Sequence, residues 1–198
     1  MLIARVLVRH EDCWTSRNNH TGRTLALNFY PDRGYLRSVI HFTEPTKIQG
    51  NGVIRIIESK KVNHGYIIDF LNTYNDSIAG LLHKSGAFII YNEVFQQKEL
   101  WVFLTYRYSL NEIDSLFKTS GEVVTSHTQV FNPPPLLTQE ELKVLKTAVE
   151  SGYYNFPRGV DLGQLSKTLG VKKPTLLYRL RSATKKLIKH YCCYYTSF

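Results

Sequence analysis

The stretch from Leu137 to Ile188, LTQEELKVLKTAVESGYYNFPRGVDLGQLSKTLGVKKPTLLYRLRSATKKLI, holds three helical periods separated by two breaks of different kinds. Thr138 and Glu141 have the spacing of a capping box, in which each side chain accepts from the other residue's backbone N–H. Leu142, Leu145 and Val149 then recur at three and four residues, which predicts a helix over Thr138 to Glu150 with these three on its core face. It ends at Ser151-Gly152, and Tyr153-Tyr154-Asn155-Phe156-Pro157 makes an aromatic connection. Asp161 can cap a second, short helix with Leu162, Leu165 and Leu169 inward, and Gly170 supplies the positive φ of a tight turn. Val171 can plug the space between helices. A third helix starts near Lys172, tolerates Pro174 in its first turn, and runs to about His190 with Leu176, Leu180, Ala183 and Leu187 inward.

Two helices joined through Gly170-Val171 with this apolar spacing meet the requirements of a helix-turn-helix, whose second helix enters the major groove. The outward positions of the third helix carry Lys172, Lys173, Thr175, Tyr178, Arg179, Arg181, Ser182 and Lys185, long or hydrogen-bonding groups suited to base edges and phosphates. Lys186 and Lys189 extend the charge. The balance along the chain agrees. Residues 1–131 hold 14 Lys+Arg against 12 Asp+Glu, whereas residues 132–198 hold 11 against 4, so +7 of the net +9 sits in the last third. A short segment this basic suits a polyanion, because each cation placed near a phosphate releases condensed counterions.

The same stretch resembles the archaeal bacterio-opsin activator type of helix-turn-helix. The marks of the resemblance are Leu137-Thr138 at the first helix, Gly152-Tyr153-Tyr154 followed by Pro157-Arg158, the turn from Leu165 to Gly170-Val171, and the tail from Leu180-Arg181 to Lys186-Leu187. It covers about the last third of the chain. One departure is Lys172-Lys173-Pro174, where such domains often carry a serine-type cap. The resemblance implies a transcription regulator that binds double-stranded DNA, commonly with a variable sensory domain ahead of the helical module, and it implies no enzymatic activity.

Ahead of this stretch, Asn132-Pro133-Pro134-Pro135 marks a boundary, since three prolines remove backbone donors and extend the chain. The expected organisation is an α/β sensory or dimerisation domain over 1–131, a proline linker over 132–136 and a helix-turn-helix domain over 137–198. Short β-branched and aromatic runs predict strands at Leu2 to Arg9, Leu25 to Tyr30, Tyr35 to Phe42 and Val53 to Glu58. There follow a strand at Tyr66 to Leu71, a helix at Asn75 to Lys84, strands at Ala87 to Phe95 and Glu99 to Tyr106, a helix capped by Ser109 and Glu112, and a strand at Glu122 to Val130. Tyr66 to Lys84 also fits a single helical stripe. The order βαββαβ describes a ferredoxin-like sandwich with extra strands, so the fold class is α+β with an all-α C-terminal domain.

Asp12-Cys13-Trp14-Thr15-Ser16 gathers a soft nucleophile, a large ring and hydroxyls just after a strand, and Cys13, Trp14 and Thr15 are taken as part of an effector site. His10, Cys13 and His20 are metal-compatible types, but H-x2-C-x6-H is not a metal-site spacing, and no metal or cofactor is expected. G-x-S-x-G, P-loop, H-E-x-x-H and paired C-x-x-C motifs are absent, which argues against an enzyme. Three cysteines, two of them adjacent, are read as reduced thiols. No apolar run approaches the roughly 20 residues of a membrane span, and the start lacks a signal-peptide pattern, so a cytoplasmic protein is expected. The aromatic tail Tyr191 to Tyr195 with Phe198 is assigned to packing or dimerisation. The expected partners are DNA, the transcription machinery, an effector and a second copy of the chain, because paired half-sites call for dimers. A competing reading is a non-catalytic adaptor whose basic bundle grips an acidic protein.

Overall fold

The computed structural model describes residues 1–195 apart from His10, Asp12 and Asn18, and it divides into two compact units that meet between Phe131 and Asn132. Among the described residues, no helix is long and apolar enough to cross a membrane.

The first unit contains β1 (Leu2–Arg9), β2 (Gly22–Tyr30), β3 (Tyr35–Phe42), β4 (Val53–Val62), β5 (Gly65–Thr73), α1 (Ile78–Lys84), β6 (Phe88–Phe95), β7 (Lys98–Thr105), α2 (Leu110–Ser120) and β8 (Glu122–Val130). All eight strands form one antiparallel sheet in the order β4-β5-β3-β2-β6-β7-β1-β8. This corrects the expected βαββαβ unit beginning at Tyr66. β5 pairs with β3 and β4 and is separated from β6 by two strands, β3 and β2, and β1 occupies the position between β7 and β8. The physical reason lies in burial. Leu2, Ile3, Ala4, Val6 and Val8 are buried at both parities, and β1 is flanked by β7 on one side and β8 on the other.

Two helical details also differ from expectation. α1 starts at Ile78, not Asn75, because Ser77 is its cap, its Oγ accepting from the Gly80 N–H at 3.0 Å. The Ser109–Glu112 box does not form. Ser109 closes a 3-10 turn with φ −89° and ψ −8°, so its side chain is not presented to the N-terminus of α2.

One face of the sheet carries the helices. Val6, Leu36, Trp101 and Phe103 pack there against Ile78 and Leu82 of α1 and Ile113 and Phe117 of α2. A second cluster on the same face joins Ile40, Phe42, Ile68 and Phe70 with Trp14.

The second unit contains α3 (Gln139–Glu150), α4 (Leu162–Leu169) and α5 (Lys173–Tyr195) around Val144, Leu145, Ala148, Leu165, Leu176, Leu180 and Ala183. The buried stripe of α3 is Glu141, Val144, Leu145 and Ala148. Leu142 and Val149, expected inward, are half exposed or more, and Leu187 is exposed to 47%. The stripe is rotated because Glu141 belongs to it. α5 also runs past His190 into the aromatic tail, where His190 and Tyr194 rings meet at 4.9 Å.

Candidate nucleic-acid interface

The turn between α4 and α5 is built from local bonds. Asp161 Oδ1 accepts from the Gln164 N–H and Gln164 Oε1 from the Asp161 N–H, both at 2.8 Å, so a full capping box starts α4. Gly170 ends α4 at φ +65°, and a Cβ there would meet nothing within 4 Å. Glycine is therefore required by the backbone and not by space. The Val171 N–H donates to the Ser166 carbonyl at 3.1 Å while its side chain packs on the core. The Leu176 N–H then donates to the Lys172 carbonyl at 3.0 Å and opens α5.

α3 is clamped to α5 by two adjacent acids. Glu141 Oε2 accepts from its own cap, the Thr138 N–H, at 2.8 Å and from Lys186 Nζ at 2.7 Å, and Oε1 accepts from Ser182 Oγ at 2.6 Å. Those donors, Lys186 first, then Ser182 and Thr138, hold its carboxyl down to about 2. Arg179 Nη1 reaches Glu140 Oε2 at 2.8 Å.

This clamp divides the eight expected contact residues. Lys172, Lys173, Thr175, Tyr178, Arg181 and Lys185 are exposed, Tyr178 to 73%. Arg179 and Ser182 are half buried and turned to α3, which corrects their assignment to the outward face. On α5 they share the flank that carries Lys186, so the acids of the first turn of α3 claim them. Lys173 leans over the start of α4: a Cβ at Gly163 would stand 3.1 Å from its Nζ, and Lys173 helps keep the Asp161 carboxyl low, after the capping N–H bonds.

The connection between α3 and α4 serves packing. Gly152 turns with φ +71°, the Tyr153 N–H donates to the Ala148 carbonyl at 2.9 Å, and Tyr153 lies against the core. The Arg158 guanidinium sits 5.0 Å from the centre of the Tyr153 ring, a cation–π contact that ties the two ends of the loop together. Phe156 is fully exposed, and the Phe156–Pro157 bond is cis.

In the first unit, Cys13 and Trp14 line a cavity of about 370 Å³ on the helix-bearing face. Trp14 packs edge-on against Phe70 and Phe42, with ring centres 5.4 and 6.5 Å apart. Thr15 does not line the cavity. It is fully buried, with its hydroxyl 2.6 Å from Cys13 Sγ, and so supports the wall from behind. The cavity floor is polar, with Ser38, Asn72, Asn92 and Glu99, none of which the local sequence pattern singled out. The available signal was a hydrophilic residue at an inward strand position, such as Ser38 in the row Leu36, Ser38, Ile40, Phe42. His20 pairs with Glu44 at 2.8 Å. Among the described residues no three His, Cys, Asp or Glu side chains gather as a metal site, while His10 and Phe198 lie outside the described residues.

Comparison with known proteins bears on the second unit. A family model described as an HTH DNA binding domain matches residues 137–189. A "Putative transcriptional regulator" of Haloferax volcanii is 42% identical over 55 residues, 28% of this chain and 10% of that protein. A "Dimethyl sulfoxide reductase transcriptional activator" of Halobacterium salinarum is 39% identical over 62 residues, 31% of this chain and 28% of that protein. The chain thus spans less than a third of the length of either relative. No solved structure gives a significant match. With α4, the Gly170 turn and α5 in place, residues 137–189 are a helix-turn-helix DNA-binding domain of the archaeal bacterio-opsin activator type.

Proposed function

We propose that the chain is a sequence-specific transcription regulator that reads double-stranded DNA through α5 and responds to a small molecule through its α/β unit. The observation that carries the DNA-binding half is the division of α5. One flank is spent on Glu140 and Glu141, and the exposed set Lys172, Lys173, Thr175, Tyr178, Arg181 and Lys185 stays open to solvent. Basic groups at the start of the second helix are suited to phosphates, and Arg181 and Tyr178 one to two turns on are suited to base edges. The two archaeal regulators support the same role. No catalytic step belongs to this reading, and the protein acts as a homodimer in the cytoplasm, alongside the transcription machinery.

The order β8-β1-β7-β6, with α1 before β6 and α2 between β7 and β8, supports a ferredoxin-like sandwich that starts at β1 and carries β2 to β5 as an insertion before α1. The Cys13–Trp14 cavity sits where that insertion meets the sandwich.

Band shifts on genomic fragments at several salt concentrations test the reading. A preferred duplex with a steep salt slope is expected. Uniform weak retardation of every fragment would remove sequence-specific regulation.

A further inference from the structure

Beside the face assigned to DNA, α5 carries an apolar one. Leu177, Arg181, Thr184 and Ile188 recur at four, three and four residues, so they share one side of the helix, with Leu180 next to them towards the core. The connection from α3 stands against this side. Tyr153 lies on the core, Tyr154 meets it edge-on with ring centres 5.2 Å apart, and the two rings and the helix line a groove of about 430 Å³.

The groove has an apolar floor and a basic rim. Leu180 is buried and Leu177 half-buried, whereas Ile188 and Tyr154 are more than half exposed. Exposed apolar groups gathered in this way mark an interaction surface. Arg181, Lys185 and Lys189, each four residues from the last, form a row on the outer side of the stripe, and all three are exposed. Among the described residues that line the groove there is no Asp or Glu, and α5 contains none from Lys173 to Tyr195. The acids of α3 are held on another flank, Glu140 by Arg179 and Glu141 by Ser182 and Lys186, and those contacts leave the rim basic.

Duplex DNA answers the rim but not the floor, because its backbone is polar and only the thymine methyl presents an apolar group in the major groove. A segment that answers both has an apolar stripe with carboxylates beside it. From Leu177 to Lys189 the helix rises about 18 Å, so an amphipathic helix of about three turns covers the groove.

We infer that this groove docks an acidic amphipathic helix of a partner protein, its apolar stripe on Leu177, Ile188 and Tyr154 and its carboxylates on Arg181, Lys185 and Lys189. Arg181 and Lys185 also belong to the set assigned to DNA, so the acidic helix and the duplex exclude one another. Docking stands without the DNA reading, and the exclusion rests on it.

The test uses the full-length chain and a labelled helical peptide of Leu and Glu, with leucines recurring at three and four residues, followed by fluorescence anisotropy in the absence of DNA. Control peptides carry Gln for every Glu, Lys for every Glu, or the same composition in an order that spreads the leucines around the helix. The Leu/Glu peptide should bind about tenfold or more tightly than the Gln and reordered peptides, and the Lys peptide should not bind. Ile188→Ser removes an apolar contact at an exposed position and should weaken the peptide by about tenfold. Lys189→Gln, outside the DNA set, should weaken it by about threefold. Equal binding of the reordered peptide would reduce the groove to a general attraction for polyanions and overturn the inference, as would unchanged affinity in both variants. Self-association of the parent chain that Ile188→Ser abolishes in sedimentation would give the groove to a second copy and overturn it too. Unlabelled peptide should displace the preferred duplex. A peptide that binds without displacing DNA keeps the groove and removes the exclusion. Absent peptide binding with duplex preference intact overturns the groove and leaves the DNA reading in place.

Discussion

Lys186 of α5 lies 2.7 Å from Glu141 of α3, on the same carboxylate oxygen that accepts the backbone N–H of Thr138. One acid therefore starts the first helix of the basic unit and anchors the third. The contact also orients α5. With Lys186, Ser182 and Arg179 drawn to α3, the face bearing Tyr178, Arg181 and Lys185 is left outward.

The cap should be measurable on its own. Thr138→Ala removes the acceptor that meets the Glu141 N–H at 3.2 Å and should cost about 1 kcal/mol, the usual worth of a helix N-cap. Thermal unfolding followed by circular dichroism checks this, and Thr138→Ser should restore most of the loss.

The same acid predicts a pH dependence. Glu141 titrates near 2 in the folded protein, below its ordinary 4.5, because Lys186, Ser182 and the Thr138 N–H all favour the charged form. A carboxyl lowered by folding contributes fully above about pH 4.5 and loses that contribution as the pH falls towards about 2. Melting temperature should fall over that window in the parent chain, and the fall should be shallower in Glu141→Gln, which starts less stable.

The turn makes a backbone prediction. Gly170 sits at φ +65° with open space around it, so Gly170→Val should cost roughly 1–2 kcal/mol from conformation alone. Gly170→Asn should cost less, since asparagine tolerates this region. Equal losses in the two variants would show that something other than φ is at stake.

Arg179 and Lys172 should behave differently although both are cations of the same segment. Lys172→Ala should reduce the slope of log affinity against log salt by about one, with little change in stability. Arg179→Ala breaks the pair with Glu140, and it should lower stability slightly while leaving the salt slope in place.

Much of the basic unit was legible because its signals are local. The Thr138–Glu141 box, the Asp161 cap, the Gly170 turn and the inward Leu165, Leu176, Leu180 and Ala183 are each decided within a few residues. The rotation of α3 was not, because an acid stands in its buried stripe, and only the distant Ser182 and Lys186 make that burial favourable. The same distance effect hid the roles of Arg179 and Ser182. In the α/β unit the strands at Leu2–Arg9, Tyr35–Phe42 and Glu122–Val130 have the bounds that the sequence suggests. Their pairing order does not follow from succession along the chain, since β1 meets β7 and β8 across roughly a hundred residues. The mostly apolar run of β1, buried at both parities, was the available sign of a central strand. Trp14 and Cys13 were picked out by type, but the polar floor of Ser38, Asn72, Asn92 and Glu99 is assembled from four strands and exists only once the sheet does.

The central assignment is α5 as the helix that reads DNA. Anisotropy titrations of the full chain against its preferred duplex, with and without Lys173→Ala and Arg181→Ala, address it directly. The double variant should keep the parent helical content, lose roughly tenfold or more in affinity, and lose its preference over an unrelated duplex. Unchanged affinity and preference in a folded double variant would contradict the assignment of DNA recognition to this face.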